Sequence, residues 1–411
     1  MQTNNSAWQL PDFRRLWWGQ TISEMGSQLG AMSLLAVLVL DATPAQMGLL
    51  GTMATAPALL LGLPAGVWLD RVRRRRILIA ADLLRLVVLV LIAVLALLGQ
   101  LTMPILLSLA FLGGCGMVLF RLAHEAYVPV LVPAEALVDA NSRLGASSAV
   151  AESVAPALGG ILVDLLTAPV TLLLDGLSYL LSALFLSRIE APEMLPEVEA
   201  GAAPSFWGEI RSGFRAVLDR PVLRALAGFA ATWHFFGNFI GATYTLFVIR
   251  ELGLSPTWLG IIVGSGGIGA VAGALLVGRL AGRFHLGRFL LVSAGVHALL
   301  VALIPLASGP AWRAALILII GQIGGDVFHT LFEINSLTLR QRVTPAQLLG
   351  RTGSVFQFSA NVAMMLGLLV GGGLATWLSL RAALWLAFGG MALGLLWLLP
   401  LRRLAGFGAT R

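Results

Sequence analysis

The sequence predicts an all-α membrane protein with twelve transmembrane helices in two pseudo-symmetric six-helix bundles. Of the 411 residues, 58% are hydrophobic and only 11% are charged, whereas charged residues make up about 25% of a typical soluble domain. The chain divides into apolar runs long enough to cross a bilayer, which takes about 20 residues. Several features recur at a fixed interval, which indicates two copies of one helical bundle.

The apolar runs and the polar stretches between them define the domain prediction. We expect six helices in residues 1–189, a cytoplasmic linker at 190–219 and six helices in 220–411. The linker is acidic and proline-rich at first. Its second part, from Trp207 to Leu218, is amphipathic, which is typical of a helix on the inner membrane surface. The twelve predicted spans are 14–40, 45–69, 76–98, 102–124, 136–165, 168–187, 221–249, 256–281, 288–307, 312–338, 345–377 and 379–401.

The distribution of arginine predicts how the chain is oriented in the membrane. The loop at residues 71–76 carries five arginines, and the loops on the opposite side carry only Arg250, Arg313 and Arg381. Because cytoplasmic loops are enriched in basic residues, we expect both termini to lie in the cytoplasm. We expect the membrane to be a bacterial inner membrane. The N-terminal segment has no small-residue cleavage site and is not expected to be a removable signal peptide.

Composition and motifs exclude several other kinds of protein. The net charge is +7, but the arginines lie in loops between apolar runs, so nucleic-acid binding is not indicated. Cys115 is the single cysteine, which excludes a disulfide or a cysteine metal site. The sequence contains no P-loop lysine motif, metalloprotease motif or serine-hydrolase motif. It therefore predicts no enzyme, no cofactor and no metal, with a proton gradient as the source of energy.

An internal repeat of 212 residues gives the most specific signal in the chain. The segment Pro44-Ala-Gln-Met-Gly48 aligns with Pro256-Thr-Trp-Leu-Gly260, and Pro133-Ala-Glu aligns with Pro345-Ala-Gln. Two parallel repeats place a substrate route between the halves. Rocking of one half against the other opens this route to one side of the membrane or to the other. A passive pore built from parallel repeats is the alternative. Three further positions align without a gap: Gly66 with Gly278, Arg71 with Arg283, and Arg76 with Arg288.

The arginine-rich loop between the second and third predicted spans has a recognisable spacing. Gly66 is followed by Asp70, Arg71, Arg74 and Arg75, which resembles motif A of the major facilitator superfamily of transporters. The resemblance implies that the Asp70 carboxylate binds the N-terminal end of a helix in the other half, where the helix dipole attracts an anion. It also implies that the arginines hold neighbouring helix ends, so that the loop acts as a latch on one conformation. A glycine replaces this aspartate in the second repeat.

The fifth predicted span contains a second motif of that superfamily. The segment Ala151–Gly160, with a proline ahead of its two final glycines, is similar to motif C of the antiporters. There the proline kinks the helix and small residues admit a close neighbour. The segments 132–142 and 340–351 resemble the bacterial branch that holds enterobactin exporters and macrolide efflux pumps. This resemblance implies export of small molecules in exchange for protons.

Charged side chains within the spans are the candidate proton carriers, because a charge at the centre of a membrane helix costs about 2.5–3.5 kcal/mol. A carboxyl group in a low-dielectric cavity can take up and release a proton near neutral pH. Asp326, His329 and Glu333 fall at i, i+3 and i+7, so they project from one face of the tenth span. The proton-coupling candidates are Glu24, Glu152, Asp326 and Glu333.

The resemblance also implies a central cavity lined by the first, fourth, seventh and tenth spans. His234 stands at the repeat equivalent of Glu24, and Arg121 is the repeat mate of Glu333. Aromatic side chains beside polar groups suit a hydrophobic, often cationic substrate. The candidate cavity residues are Arg121, Trp233, His234, Phe236, Asn238, Tyr244, Phe328 and His329.

Structural roles are the alternative for several charged and aromatic residues. Arg121 with Glu125, and Asp82 with Arg85, have the spacing of ion pairs within one helix. An aromatic stripe equally suits packing in the core or contact with lipid. Asp164 and Asp175 lie in the fifth and sixth spans, and the sequence indicates no role for either.

The sequence thus predicts a proton-coupled exporter of hydrophobic, drug-like or siderophore-like molecules. We expect a monomer whose partners are the substrate, protons and membrane lipids. A lipid or lysolipid translocator of the same fold is the first alternative, and a labelled lipid that crosses the membrane would identify it. A sensor or scaffold without transport is an alternative of another class, and it would bind a partner at the linker, residues 190–219.

Overall fold

A computed structural model of the chain describes residues 6–69, 72–193, 206–280 and 284–403. These residues form helices joined by short turns, and no β-strand occurs among them. The α-helices are α1 (Pro11–Ser27), α2 (Ala31–Leu38), α3 (Pro44–Leu69), α4 (Arg74–Leu97), α5 (Met103–Leu131), α6 (Leu137–Leu166), α7 (Ala168–Ser187), α8 (Phe206–Leu218), α9 (Pro221–Leu246), α10 (Pro256–Leu280), α11 (Leu286–Val301), α12 (Leu303–Leu306), α13 (Ala311–Val343), α14 (Leu349–Trp377) and α15 (Leu380–Gly394). A π-helical turn, Phe247–Glu251, follows α9, and a 3₁₀ segment, Leu395–Arg403, follows α15.

The helices account for the twelve predicted spans. Nine candidate spans within the described ranges are long and apolar enough to cross a membrane. The helices α3 and α9 have 26 residues each and supply two more, and α1 with α2 supplies the first. The amphipathic segment predicted in the linker forms α8. The protein is therefore an all-helical, multi-pass membrane protein.

The first predicted span, 14–40, is broken rather than continuous. α1 ends at Ser27, and α2 begins at Ala31 after Gly30, which has a φ of +69°. Only glycine adopts this left-handed conformation without steric cost. The break also brings the backbone of Leu29 against Gly159 of α6, where a Cβ atom would come within 2.7 Å of the Leu29 Cα. The prediction missed the break because the polar stretch at Ser27 and Gln28 is short and an apolar run follows it.

Two predicted spans end too early. α5 continues to Leu131 and α13 to Val343, beyond the predicted ends at residues 124 and 338. Arg340 therefore lies in the last turn of α13 and not in a loop. Cations are favourable at this end of a helix because of its dipole. The guanidinium of Arg340 also lies 4.6 Å from the ring centroid of Phe356, so the side chain packs against the helices.

The chain forms two compact units. The first unit contains Met1–Ala42, Thr52–Glu199 and Ser255–Gly264. The second unit contains Thr43–Gly51, Ala200–Leu254 and Ser265–Arg411. Each unit has an apolar core of its own: Phe13, Leu78 and Tyr127 are among the buried residues of the first, and Leu223, Leu290 and Leu398 are among those of the second.

In the first unit, α6 packs closely against the first turns of α10. A Cβ atom at Gly160 would overlap the Pro256 carbonyl, and one at Gly260 would overlap the Pro156 carbonyl. Small residues thus allow the two backbones to touch, as expected for the segment Ala151–Gly160. The Asp164 carboxylate accepts a hydrogen bond of 2.9 Å from the Thr257 N–H. A carboxylate at this position satisfies a free amide at the start of α10 and complements the helix dipole.

In the second unit, α14 packs against the first turns of α3 in the same way. A Cβ atom at Gly372 would overlap the Pro44 carbonyl, and one at Gly48 would overlap the Leu368 carbonyl. The Thr376 hydroxyl accepts a hydrogen bond of 3.0 Å from the Ala45 N–H. Each of these residues stands 212 positions from its equivalent in the first unit. The internal repeat is therefore confirmed as a repeat of contacts as well as of sequence.

Candidate functional site

In the second unit, α13 places a carboxyl group against a neighbouring helix. Asp326 is half-buried, and its Oδ2 atom accepts a hydrogen bond of 2.7 Å from Gln322, one turn earlier. The same Oδ2 lies directly over Gly266 of α10, where a Cβ atom would overlap it. Tyr244 of α9 and His329 lie close enough to interact electrostatically with Asp326. A carboxyl group is thus held among neutral donors and a histidine within apolar helices.

Three histidines from three helices lie near one another, and one of them, His329, interacts electrostatically with Asp326. We define the histidine cluster as His234 of α9, His297 of α11 and His329 of α13. The rings of His297 and His329 meet edge to face with centroids 5.3 Å apart, and His234 interacts electrostatically with His329 and Glu333. Because histidine is the side chain that changes charge most readily near neutral pH, the cluster is chemically able to take up and pass on protons.

His297 is the member of the cluster that the sequence analysis missed. Its ring lies 4.9 Å from the indole of Trp233, edge to face, and its Nδ1 atom is buried without a hydrogen-bond partner. His297 lies inside the predicted span 288–307, and an ionisable side chain within a membrane span is energetically unfavourable. Its position in the span was therefore the feature of the sequence that could have identified it as a candidate. The repeat gave no help, since the equivalent residue, Arg85, is of another type.

The predicted aromatic residues divide into two groups. Trp233 contacts both the histidine cluster and Phe229, with ring centroids 5.1 Å apart. Phe236 instead packs on Gly390 of α15 and forms an aromatic group with Phe235 and Phe239, away from the histidines.

Asn238 also takes part in local packing. It donates a hydrogen bond of 2.7 Å to the carbonyl of His234, four residues earlier in the same helix. Phe328 is half-buried on α13, between Asp326 and His329. Of the predicted cavity residues in this unit, Tyr244 and His329 therefore interact with Asp326. Trp233 contacts His297, and His234 interacts with His329.

The first unit holds a second polar group between α1 and α6. The Ser148 hydroxyl donates a short hydrogen bond to the Glu24 carboxylate, and Gln20 donates a second one of 3.4 Å. Glu152 lies one turn beyond Ser148, is exposed, and interacts with the charge of Glu24. The structure thus brings two of the predicted carboxyl groups together, each with hydroxyl or amide donors nearby. Glu333 of the second unit is also exposed, and it interacts electrostatically with His234 and Arg340.

Of the two ion pairs predicted within helices, one forms in the structure and the other does not. Asp82 and Arg85 of α4 form a buried salt bridge, as expected. Arg121 and Glu125 of α5 are both exposed and form no salt bridge with each other. The alternative explanation for Arg121 is therefore wrong. Arg121 is exposed on α5, and its place in a cavity stays a prediction.

Part of the predicted latch is described. Asp70 and Arg71 lie outside the described residues, and Gly66 lies in α3. Arg75, at the start of α4, donates from its Nε atom to the Leu186 carbonyl, 3.0 Å away, and from its other guanidinium nitrogen to the Ser187 carbonyl. The guanidinium thus binds the C-terminal carbonyls of α7, where a cation is favourable.

Glu193, in the linker, binds the N-terminus of α4. Its two carboxylate oxygens accept hydrogen bonds from the main-chain N–H groups of Arg74, at 2.5 Å, and Arg75, at 3.3 Å. Asp12 of α1 accepts further hydrogen bonds from the main chain of Glu190 and Ala191. The start of the linker is therefore fixed to the first unit by two carboxylates. The sequence showed only that this segment is acidic.

The described residues contain no group of three or more histidine, cysteine, aspartate or glutamate side chains arranged to hold a metal ion. What they do contain is an apolar helical scaffold with carboxyl groups and histidines inside it. A scaffold of this kind can exchange protons and accommodate apolar molecules.

These features define a membrane transporter, since twelve spans in two repeated six-helix bundles with charged groups inside them are the architecture of secondary transporters. The chain belongs to the transmembrane secretion effector family of the major facilitator superfamily, whose family model matches residues 5–406. The family and fold are those of transporters and not of enzymes.

Individual relatives agree with this assignment. The chain is 27% identical to YfiS, an uncharacterised MFS-type transporter of Bacillus subtilis (strain 168), over 89% of this chain and 87% of that protein. It is 22% identical to macrolide efflux protein A of Streptococcus pyogenes, over 88% and 89% of the two chains. The structure resembles a bacterial homologue of the iron transporter ferroportin in its inward-facing state, with a TM-score of 0.78, 17% identity, and coverage of 95% of this chain and 98% of that chain. At this identity the likeness concerns the fold alone.

Proposed function

We propose that this transporter exports hydrophobic small molecules, drug-like or siderophore-like, in exchange for protons. It would work as a monomer in the bacterial inner membrane with both termini in the cytoplasm. Alternating access would come from movement of the half at 1–189 against the half at 220–411. The motif A loop, including Gly66, Asp70, Arg71, Arg74 and Arg75, would act as the conformational latch.

The observation that carries the proposal is the setting of Asp326. A carboxylate within a membrane helix is costly. In the described part of the chain, Asp326 interacts with Gln322, His329 and Tyr244, and none of these carries the permanent positive charge that would balance a carboxylate. The group adjoins Tyr244, His329 and the histidine cluster, all of which can donate or accept a proton. A carboxyl group that is neutral in one state and ionised in another is the element that a proton-driven cycle requires.

The substrate class follows from the side chains around the carboxyl groups and from the relatives. In the second unit, Tyr244 lies close to Asp326 and Trp233 contacts the histidine cluster, so aromatic surface and a carboxyl group occur in one bundle. Aromatic faces and carboxylates together favour a hydrophobic cation. A relative of similar length is named a macrolide efflux protein, and macrolides belong to this chemical class because they are large, apolar and amine-bearing.

The test is transport in proteoliposomes with an imposed pH gradient. Three probes are compared: a labelled macrolide, a lipophilic cationic dye and a labelled lysolipid. We expect gradient-driven movement of the macrolide or the dye that an uncoupler abolishes. Asp326→Asn should reduce this movement to background with the fold intact, whereas Asp219→Asn, which changes an exposed carboxylate next to α8, should leave it unchanged.

Each alternative has its own outcome in the same experiment. Movement of the lysolipid alone would identify a lipid translocator. The absence of gradient-dependent movement of all three probes, in protein that is folded and correctly inserted, would favour a sensor or scaffold. Full gradient-driven transport by Asp326→Asn would remove Asp326 from the mechanism without affecting the export proposal itself.

A further inference from the structure

A buried group of charges lies inside the first unit, apart from Glu24 and Glu152. It consists of Asp82 and Arg85 of α4 and Asp175 of α7, and we call it the buried charge cluster. Asp82 is fully buried, and Arg85 and Asp175 are each only 8% exposed. Arg85 forms a salt bridge with Asp82 and interacts electrostatically with Asp175. The sequence indicated the first pair but gave no role to Asp175.

The surroundings of the cluster close it off from water. The Arg85 guanidinium lies between two rings, 4.5 Å from the centroid of Phe120 on α5 and 4.2 Å from that of Tyr179 on α7. Beyond Phe120, the ring of His124 is stacked on it at 6.0 Å. The Nε2 atom of His124 is buried without a hydrogen-bond partner, as expected for a neutral ring. The helix α2, which also contacts α7, carries no ionisable residue.

The formal charges of the cluster do not balance. Two carboxylates face one guanidinium, so full ionisation would leave one negative charge unpaired in the interior. Ser182 lies beside Asp82, yet the Ser182 Oγ and the second carboxylate oxygen of Asp82 are both buried without a hydrogen-bond partner. An unpaired buried charge is strongly unfavourable, and such groups are neutralised by taking up a proton. One proton on either carboxyl group removes the excess charge, because both groups interact with the same guanidinium.

We propose that the buried charge cluster is a proton-binding site that holds one proton, shared between Asp82 and Asp175. This site is separate from the carboxyl groups assigned to transport above, and proton binding here does not require that assignment. With the proton bound, one ionised carboxylate pairs with Arg85 and the other carboxyl group is neutral.

The site also contacts the helix that carries Glu24. Gly26 of α1 lies directly against the Asp175 Oδ1 and the Ser178 hydroxyl, so closely that a Cβ atom there would overlap both. The next residue, Ser27, shares a hydrogen bond of 2.8 Å with the Tyr179 hydroxyl. Loss of the proton would place a new charge at this contact between α1 and α7. Proton occupancy of the cluster is thus transmitted to the packing of α1.

The experiment is infrared spectroscopy of the purified full-length protein, recorded at neutral and alkaline pH. The signal is the carbonyl stretch of protonated carboxyl groups, which ionised carboxylates do not give. We expect Asp82→Asn and Asp175→Asn each to lose the amplitude of one protonated group, because either change leaves a balanced pair with Arg85. The double variant should lose no more than either single variant. Glu135→Gln, which changes an exposed carboxylate, should keep the full amplitude.

The non-additive pattern makes the proposal testable even when one variant folds poorly. Circular dichroism and gel filtration identify folded variants, and either single variant suffices for the comparison with wild type. If a folded single variant keeps the full amplitude, removal of one carboxylate has not released the proton, the two groups do not share it, and the proposal is wrong. If the two single variants and the double variant lose amplitude additively, two independent sites exist and the shared proton is excluded.

Discussion

Asp164 and Thr376 stand 212 residues apart, and each accepts a hydrogen bond from the second residue of a proline-initiated helix. Asp164 receives the Thr257 N–H at the start of α10, and Thr376 receives the Ala45 N–H at the start of α3. The two repeats therefore retain the same contact with different chemistry. One uses a carboxylate and the other a hydroxyl.

This equivalence predicts that a threonine can replace Asp164. Loss of a helix cap typically costs about 0.5–2 kcal/mol, so Asp164→Ala should destabilise the protein by about 1–2 kcal/mol. Asp164→Thr should recover most of that loss, since the hydroxyl performs the same task in the second repeat. Thermal unfolding in detergent measures both variants, with Thr376→Ala as the matched change. Equal destabilisation by alanine and threonine would show that the charge, and not the hydrogen bond, matters at this position.

A second prediction concerns His297. Its buried Nδ1 atom has no partner, and an unsatisfied buried polar group costs about 1–3 kcal/mol. His297→Phe keeps the ring contact with Trp233 and removes the unsatisfied atom, so stability should stay constant or rise by about 1 kcal/mol. Gradient-driven export should fall at the same time, because His329 loses the imidazole ring that lies against it.

The control for this prediction is His285→Phe, at an exposed position before α11. It should alter neither stability nor export. If His297→Phe is destabilised but exports at the wild-type rate, His297 has a role in packing alone.

A third prediction uses two glycines of α10. A Cβ atom at Gly266 would overlap the Asp326 Oδ2 and approach the Gln322 Nε2 to 2.8 Å. Gly266→Ala should therefore displace the Asp326 carboxyl group, reduce export, and cost about 1–3 kcal/mol through overpacking. At Gly278 a Cβ would meet open space, so Gly278→Ala should be neutral or stabilising by up to about 1 kcal/mol. Thermal unfolding and export assays compare the pair, and wild-type export by Gly266→Ala would contradict the importance of this contact.

A fourth prediction concerns the linker. Glu193 binds the two amides at the N-terminus of α4, where a negative charge contributes about 0.3–1 kcal/mol. Glu193→Gln should lower stability by about that amount, with a larger effect at low ionic strength because salt screens the charge. Glu135→Gln, which changes an exposed carboxylate, serves as the control. Similar effects of the two changes at every salt concentration would contradict a specific role for Glu193.

The apolar runs, the arginine-rich loops and the repeat predicted twelve spans because each depends on local composition or on spacing along the chain. The lengths of the spans were less predictable. The break at Gly30 and the extension of α13 past residue 338 depend on how the helices pack. Polar residues stand at both places, yet the helix breaks at the first and continues through the second. The pair Asp82–Arg85 was predictable since both residues lie on one helix, one turn apart.

Contacts between helices that are far apart along the chain could not be predicted from the sequence. His297 joins Trp233 and His329 from three helices, and Asp175 joins a pair located about ninety residues earlier. From the sequence, Phe236 and Trp233 were equally good candidates for a cavity residue. The contact of Phe236 with Gly390, seen only in the structure, distinguishes the two.

The sequence alone determined the class of this protein. Its hydropathy requires a membrane, and its repeat and motif A indicate a transporter with two bundles. These features depend only on residue type and on spacing along the chain. The tertiary structure decided which ionisable groups meet. Whether a carboxylate faces an arginine, a helix amide, a histidine or another carboxylate depends on which helices pack together, and in a low-dielectric interior that partner determines whether the group holds a charge or a proton.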